Sequence, residues 1–589
     1  LRQALDLSGE EAAPVAIDYT EVEQVTSDML TEDSFFHFEI FGDNYHTEPI
    51  IGFAWGTKGQ LYASTDTGLL QTPIFKEFLE KTPLKVYDFK RAKVLLSHLG
   101  IPLQNPAFDS RLAKYLLSTV EDNEISTIAS LYSQIALPLD EVVYGKGAKK
   151  AIPEKAVLLE HLARKVAVLL DTEEPMMEQL QAHDQLDLLY DMEQPLAAVL
   201  AKMEIAGIKV ERQTLEDMQV ENEVVLERLT QEIYELAGEE FNINSPKQLG
   251  VILFEKLGLP LEYTKKTKTG YSTAVDVLER LAPIAPIVSK ILEYRQIAKI
   301  QSTYVIGLQD WILKDGKIHT RYVQDLTQTG RLSSVDPNLQ NIPVRLEQGR
   351  LIRKAFVPEE ENSVLLSSDY SQIELRVLAH ISGDEHLIDA FKHGADIHTS
   401  TAMRVFNIAK PEDVTPNDRR NAKAVNFGVV YGISDFGLSN NLGISRKEAK
   451  AYIETYFERY PGIKDYMERV VREARDKGYV ETLFKRRREI PDINSRNFNV
   501  RGFAERTAIN SPIQGSAADI LKIAMIHLDQ ALERGAYKTK MLLQVHDEIV
   551  LQVPSDELAA IKELVKETRE SAIELAVPLE ADENEGKTW

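Results

Sequence analysis

Two apolar segments of this chain each run directly into an acidic residue, and those acids stand almost 180 positions apart. Val364-Leu365-Leu366 leads through Ser367-Ser368 to Asp369, after which a helical pattern begins. Met541–Val553 has a polar centre, His546-Asp547-Glu548, between two apolar arms, and reads as a hairpin with functional residues at its tip. The end of a buried strand is a rigid mount for a side chain. A sheet that holds both strands would bring Asp369 and Asp547 to one spot with Glu548 beside them. Two close carboxylates repel each other, and a cation relieves that repulsion. Magnesium suits such a place, because it keeps several waters and takes one or two protein carboxylates plus substrate phosphates. Either motif alone is read more simply as a helix cap or a hairpin turn; together they favour a metal site.

Much else is excluded by composition. At 589 residues the chain is long enough for about three or four folding units. With 43% hydrophobic residues it can bury substantial cores. It has no cysteine, which removes disulfide frameworks, thiol catalysis and Cys-based zinc sites. No run of about 20 apolar residues and no secretory leader is present, so a soluble chain is expected. The opening Leu1-Arg2-Gln3 lacks an initiating Met, as in a chain truncated at its front. The net charge of −24 argues against a polyanionic partner, yet residues 401–550 carry +5. A basic region inside an acidic body suits a focused polyanion cleft; a solvated face is the plain alternative.

The pattern along the chain changes several times. Strand signals occupy residues 33–64, with Phe36, Phe38 and Ile40 alternating, and helical patterns follow over residues 107–120 and 153–170, as in an α/β domain. The acidic run Asp171–Pro175 marks a boundary. Residues 177–236 show the spacing of long amphipathic helices, Asn244-Ser245-Pro246 starts another helix, and residues 265–270 form a basic loop. Lys485-Arg486-Arg487-Arg488 is the densest basic run, offering template-backbone contacts or only a solvated loop.

Residues 415–432 are a well-punctuated helix. Thr415 is the N-cap, Pro416 the first helical residue, Asp418 stands three after the cap and Gly432 follows the end. Four-residue steps put Arg419, Lys423, Phe427 and Tyr431 in one stripe. Two cations can hold a polyphosphate and two aromatics can stack on a sugar or base. A surface helix with Phe427 in a core explains the stripe equally well.

Asp369-Tyr370-Ser371-Gln372-Ile373-Glu374-Leu375-Arg376, the Arg-x3-Lys-x3-Phe-Gly-x2-Tyr-Gly helix and Val545-His546-Asp547-Glu548 resemble, in order and spacing, the A, B and C motifs of family A DNA polymerases. The similarity continues through residues 329–334, 336–343 and 506–519 and covers nearly the whole chain. Its extent matches a large fragment lacking the family's 5′-nuclease domain. The resemblance implies an α/β and α+β multidomain fold: a ribonuclease H-like exonuclease-type domain (1–172), a thumb-rich helical part (173–320), the first part of a palm (321–383), fingers (384–499) and the rest of the palm (500–589). The implied enzyme is a DNA-directed DNA polymerase for repair and replication, adding deoxynucleotides to a primer 3′-hydroxyl and releasing pyrophosphate. Its expected partners are primed template DNA and dNTPs, without a membrane; it is expected to be a monomer in the bacterial cytoplasm, associated with the nucleoid.

The same resemblance assigns roles. Asp369, Asp547 and the Tyr370 carbonyl would hold two Mg²⁺ ions, with Mn²⁺ as a substitute, and Glu548 would be a ligand or an outer acid. Arg419 and Lys423 would bind the triphosphate, Lys423 also acting as an acid toward pyrophosphate. Phe427 would pack on the nucleotide and, as Phe instead of Tyr, disfavour dideoxynucleotides. Glu374 would be a steric gate against ribose, Tyr431 would guard the templating position, and Gln372 and His546 would touch nucleotide and primer terminus. Arg331, Asn338, Gln340, Arg506, Asn510 and Gln514 would meet minor-groove acceptors present in every base pair.

The N-terminal region departs from the family pattern. A proofreading site needs four acids, whereas the alignment puts His37 and Glu39 at the first pair, Ala92 next and Lys165 last, with Asp43, Asp88 and Asp109 as possible replacements. Proofreading is therefore expected to be absent. The competing readings are a 3′→5′ exonuclease, an RNA-making relative, disfavoured by Glu374, and a non-catalytic nucleic-acid binder.

Overall fold

The computed structural model describes residues 14–432 and 434–589. Backbone contacts divide them into two compact units. One holds the described residues through Ala206 together with Arg321–Val335 and Ser367–Asn584; the other holds Gly207–Thr320, Asp336–Leu366 and Glu585–Trp589.

The larger unit begins with a six-stranded sheet in the order Thr20–Glu21, Gln60–Ser64, Ile50–Thr57, Phe35–Ile40, Lys85–Val86, Phe108–Asp109. Phe35–Ile40 pairs antiparallel with Ile50–Thr57 and parallel with Lys85–Val86. All six of its residues are buried, so the alternation in sequence does not mark a solvent face. Phe36 meets Phe75 and Trp55, while the polar His37 and Glu39 alternate with it and lie against the helix Lys155–Ala182. That helix runs unbroken through Asp171–Pro175, past the end of the helical pattern expected over residues 153–170. Leu169, Thr172, Met176 and Leu180 continue one buried stripe at three- and four-residue spacing, and the acids sit between them toward solvent.

A second sheet of this unit has the order Lys540–Val545, Glu548–Pro554, Ser363–Tyr370, Ala581–Gly586, the strand Ser363–Tyr370 entering the unit at Ser367. The strand pair 540–554 is the hairpin expected from its apolar arms, with Val545 opposite Glu548 across the two-residue turn His546-Asp547. The 37-residue helix Phe498–Arg534 and the helix Leu558–Glu570 belong to the same unit.

In the basic run 485–488 Lys485 is exposed and Arg487 and Arg488 are half-buried, whereas Arg486 is interior. Arg486 is buried, bonding Asp519 at 2.7 Å and Glu193, while Lys522 lies 2.8 Å from Glu193. Burial opposes ionisation of Glu193, but Lys522 and Arg486 outweigh it and push its carboxyl down to about 2.

In the smaller unit the helix Arg212–Ala237 packs along Pro286–Ile300, enclosing Ile233, Leu249, Leu253, Leu278, Val288 and Ile291. A three-stranded antiparallel sheet, Lys317–Ile318, Ile208–Val210, Phe356–Val357, completes it. The basic loop is the tip of a short hairpin in which Lys266 faces Tyr271. Among the described residues no helix is long and apolar enough to cross a membrane.

Candidate active site

Asp369 is the exposed penultimate residue of its strand, and Asp547 is half-buried in the hairpin turn. Their backbones meet through Arg569, whose guanidinium donates to the Ser368 carbonyl at 2.6 Å and to the Asp547 carbonyl at 2.7 Å. Glu548 opens the next strand beside Asp547. Tyr370 is buried, its ring beneath Arg569 and its hydroxyl donating to the Arg569 carbonyl at 2.6 Å. The strand end that carries Asp369 and the turn that carries Asp547 thus meet at one guanidinium, on which both acids act electrostatically.

The helix over residues 416–431 forms as its punctuation requires. Thr415 and Asp418 make a reciprocal capping box, and Gly432 closes the helix in the left-handed region. Arg419, Lys423, Phe427 and Tyr431 are all exposed, while Ala422, Val425, Asn426 and Val429 are buried behind them. Phe427 is 37% exposed and so belongs to the stripe, not to a core. Its ring lies 6.2 Å from that of Tyr431, with the Lys423 ammonium 5.8 Å from its centre. Arg419 pairs with Asp396 at 3.1 Å.

Glu374 joins this helix to Arg331 and lies within electrostatic reach of Asp547. Arg331 Nη2 donates to Glu374 Oε1 at 2.5 Å, and the Tyr431 hydroxyl also bonds Glu374. Burial raises the Glu374 carboxyl, with Asp547 adding to the shift; Tyr431 and Arg331 oppose it. Arg331 follows Gly330, whose φ is +88° and whose missing Cβ would stand 2.5 Å from Arg486 Nε, so only glycine fits. Gly432 is equally constrained: a Cβ there would lie 2.7 Å from Asn510 Nδ2 and 3.1 Å from Arg506 Cβ. Arg506 and Asn510 therefore stand beside the end of the stripe helix, with Gln514 farther along their own helix. Asn338 and Gln340 belong to the smaller unit, where the Asn338 side chain accepts from Gln340 N at 2.9 Å.

Gln372 and His546 hold φ of +53° and +54°, a left-handed conformation costing non-glycine residues about 1–3 kcal/mol. Sequence reasoning missed His398, whose ring lies 3.4 Å from Gln372 Nε2 and 3.0 Å from Asn426 Nδ2. Burial, then the Arg419 charge, pushes this imidazole down to about 4. It also missed Arg569, which has no local sequence signal within its amphipathic helix.

In the N-terminal layer, the donor atoms of Glu39, Asp140 and His161 lie within 4.8 Å of one another. A cation of the chain itself is already there: Lys165 Nζ is 2.7 Å from Glu39 and 2.9 Å from Asp140, and Arg91 is 3.2 Å from Glu39. His37 contacts Glu39 at 3.3 Å and Ala92 is buried. Asp88 and Asp109 cap the helices Phe89–Ser97 and Ser110–Leu117, while Asp43 is exposed.

Residues 212–589 match the model of DNA polymerase family A, and residues 36–172 that of the DNA polymerase I ribonuclease H-like domain. DNA polymerase I of Streptococcus pneumoniae strain R6 is 78% identical over all 589 residues, which span 67% of that relative. The Geobacillus stearothermophilus DNA polymerase I is 52% identical over 577 residues, covering 97% of this chain and 66% of that one. The polymerase domain of Pol1 from M. smegmatis, solved with DNA primer–template and dNTP, superposes with a TM-score of 0.85 at 37% identity over 94% of this chain and 95% of that one. With its motifs gathered around two strand ends and matched over this length, the chain belongs to DNA polymerase family A.

Proposed function

We propose that this polymerase extends a primer at the acid pair Asp369 and Asp547, with the exposed stripe of the helix Pro416–Tyr431 receiving the incoming dNTP. The observation that carries the reading is the meeting of the two strand ends at one guanidinium, with the Arg331–Glu374–Tyr431 cluster within electrostatic reach of Asp547. Asp369, Asp547 and the Tyr370 carbonyl would hold two Mg²⁺ ions, replaceable by Mn²⁺, which when bound acidify the primer 3′-hydroxyl and neutralise charge on the departing pyrophosphate. Glu548 orders the outer sphere.

Arg419 and Lys423 bind the triphosphate, and Lys423 delivers a proton to pyrophosphate. Phe427 packs on the nucleotide, Gln372 contacts it, and His546 contacts the primer terminus. Glu374, held by Arg331, closes the space a ribose 2′-hydroxyl would need. Tyr431 stands at the templating position. Arg331, Asn338, Gln340, Arg506, Asn510 and Gln514 inspect the minor groove without reading sequence. The palm comprises residues 321–383 and 500–589, the fingers 384–499, the thumb-rich part 173–320 and the exonuclease-like domain 1–172. That last domain has no proofreading activity, because Lys165 occupies the place of its cations. The protein acts as a monomer in gap filling and primer replacement, in the bacterial cytoplasm at the nucleoid.

Primer extension with dNTPs or rNTPs and Mg²⁺, beside Asp547→Ala, tests the reading. The parent is expected to incorporate dNTPs and the variant to lose at least about a hundredfold. Extension unaffected by the substitution overturns it.

A further inference from the structure

Arg569 stands near the end of the helix Leu558–Glu570, and its residue is 0% exposed. A buried guanidinium is costly unless its surroundings repay the lost hydration. Here the repayment comes from main-chain oxygens. Nη1 reaches the carbonyl of Ser368, the residue before Asp369, at 2.6 Å, and Nη2 reaches the carbonyl of Asp547 itself at 2.7 Å. The guanidinium carbon lies 4.1 Å from the centre of the Tyr370 ring, and the Tyr370 hydroxyl donates back to the Arg569 carbonyl at 2.6 Å. One side chain therefore ties the strand that carries Asp369 to the turn that carries Asp547, and the residue after Asp369 locks that side chain in return. Burial lowers the proton affinity of Arg569, while Tyr370, Asp369 and Asp547 act in the opposite sense. The last two are the acids whose mutual repulsion would spread the strand end from the turn.

We infer that Arg569 is a positioning residue of the polymerase centre, its planar fork setting the separation of the Asp369 and Asp547 backbones so that their carboxylates are assembled before a divalent cation arrives. This rests on the reading of those two acids as the metal-holding pair. The fork matters more than the charge, because a guanidinium presents parallel donors at a fixed spacing and an ammonium is a single flexible point. Residues that orient metal-holding groups without touching the metal change affinity or activity by about 10–100-fold when replaced.

The test compares Arg569→Met, Arg569→Lys and Asp547→Ala in the whole chain. Mn²⁺ binding is followed by electron paramagnetic resonance, and single-nucleotide kinetics, primer–template affinity and thermal unfolding are measured alongside. Arg569→Met is expected to weaken Mn²⁺ binding and lower kcat by about tenfold or more, with KM for dNTP and affinity for DNA within about threefold of the parent. Arg569→Lys keeps the charge and most of the stem, and is expected to recover no more than about threefold of either loss. It carries the test alone if the Met variant does not fold. Parent-like Mn²⁺ binding and kcat in either folded variant overturns the inference. Asp547→Ala separates the two levels: parent-like metal binding and activity there removes the underlying assignment, whereas loss there with a parent-like Arg569→Lys removes only the role of Arg569.

Discussion

Lys165 Nζ lies 2.7 Å from Glu39 Oε2, and both side chains are about 5% exposed. Burial raises the Glu39 carboxyl, but the Lys165 charge, the His37 hydrogen bond and Arg91 overcome this and hold it well below the ordinary range. A tethered ammonium thus stands among the donor atoms of Glu39 and Asp140. A purified preparation given a mismatched primer and Mg²⁺ is expected to leave its 3′ end intact. Shortening that persists in Asp369→Ala and vanishes in Glu39→Ala would remove the proposed inactivity.

The same pair makes a stability prediction. Lys165→Met strands a buried carboxylate and is expected to cost about 3–5 kcal/mol, measured by urea unfolding. The sign with pH follows from the depressed folded value of Glu39. Its contribution is fully present above the unfolded value of about 4.3 and is lost as pH falls through the lower folded one. An unchanged unfolding midpoint in Lys165→Met would contradict the ion pair.

His398 is held down to about 4 by burial and by Arg419. The imidazole is therefore neutral in the working range and titrates only in acid. Between about 4 and the unfolded value of about 6.5 the folded chain binds fewer protons than the unfolded one, so His398 makes stability rise with pH there. Nuclear magnetic resonance of the imidazole C–H signals should show one histidine titrating near 4; a midpoint near 6.5 for His398 would rule this out.

Glu374 is held between Arg331 and Tyr431. On the proposed role of Glu374 as the gate against ribose, Glu374→Ala is expected to lower the ratio of dNTP to rNTP efficiency by about 10–200-fold, read as kcat/KM for each. Phe427→Tyr adds a hydroxyl on the exposed stripe and is expected to raise dideoxynucleotide use relative to dNTP by about tenfold, the worth of one hydrogen bond. An unchanged dNTP/rNTP ratio in the first variant would show that Glu374 does not set sugar choice.

Arg486 separates a structural charge from a DNA contact. Because it bonds Asp519 and Glu193 in the interior, Arg486→Met is expected to lose about 3–5 kcal/mol of stability. The salt dependence of primer–template binding should stay as in the parent. A lower slope of affinity against salt with no loss of stability would return Arg486 to the template backbone.

Local chemistry made much of this legible in the sequence. The capping box of Thr415 and Asp418, the four-residue stripe and the apolar arms around His546-Asp547 all depend on neighbours within a few positions, and each formed where its residues required. A stripe does not say what covers it, so the sequence alone does not decide whether Phe427 faces solvent or a core; the fold exposes it. The helix continues through the acidic run 171–175 because helix continuity follows the buried stripe Leu169, Thr172, Met176 and Leu180, which composition averaged over a segment does not reveal. Within the basic run 485–488 the burial of Arg486 was not legible for a related reason: it depends on Glu193 and Asp519, which come from distant parts of the chain. Sequence by itself determined the capped helix Pro416–Tyr431, the hairpin around His546-Asp547 and the family. Only the tertiary structure decided which charges meet, as Lys165 meets Glu39 and Arg569 meets the carbonyls of Ser368 and Asp547, because those energies depend on separations in space between residues remote along the chain.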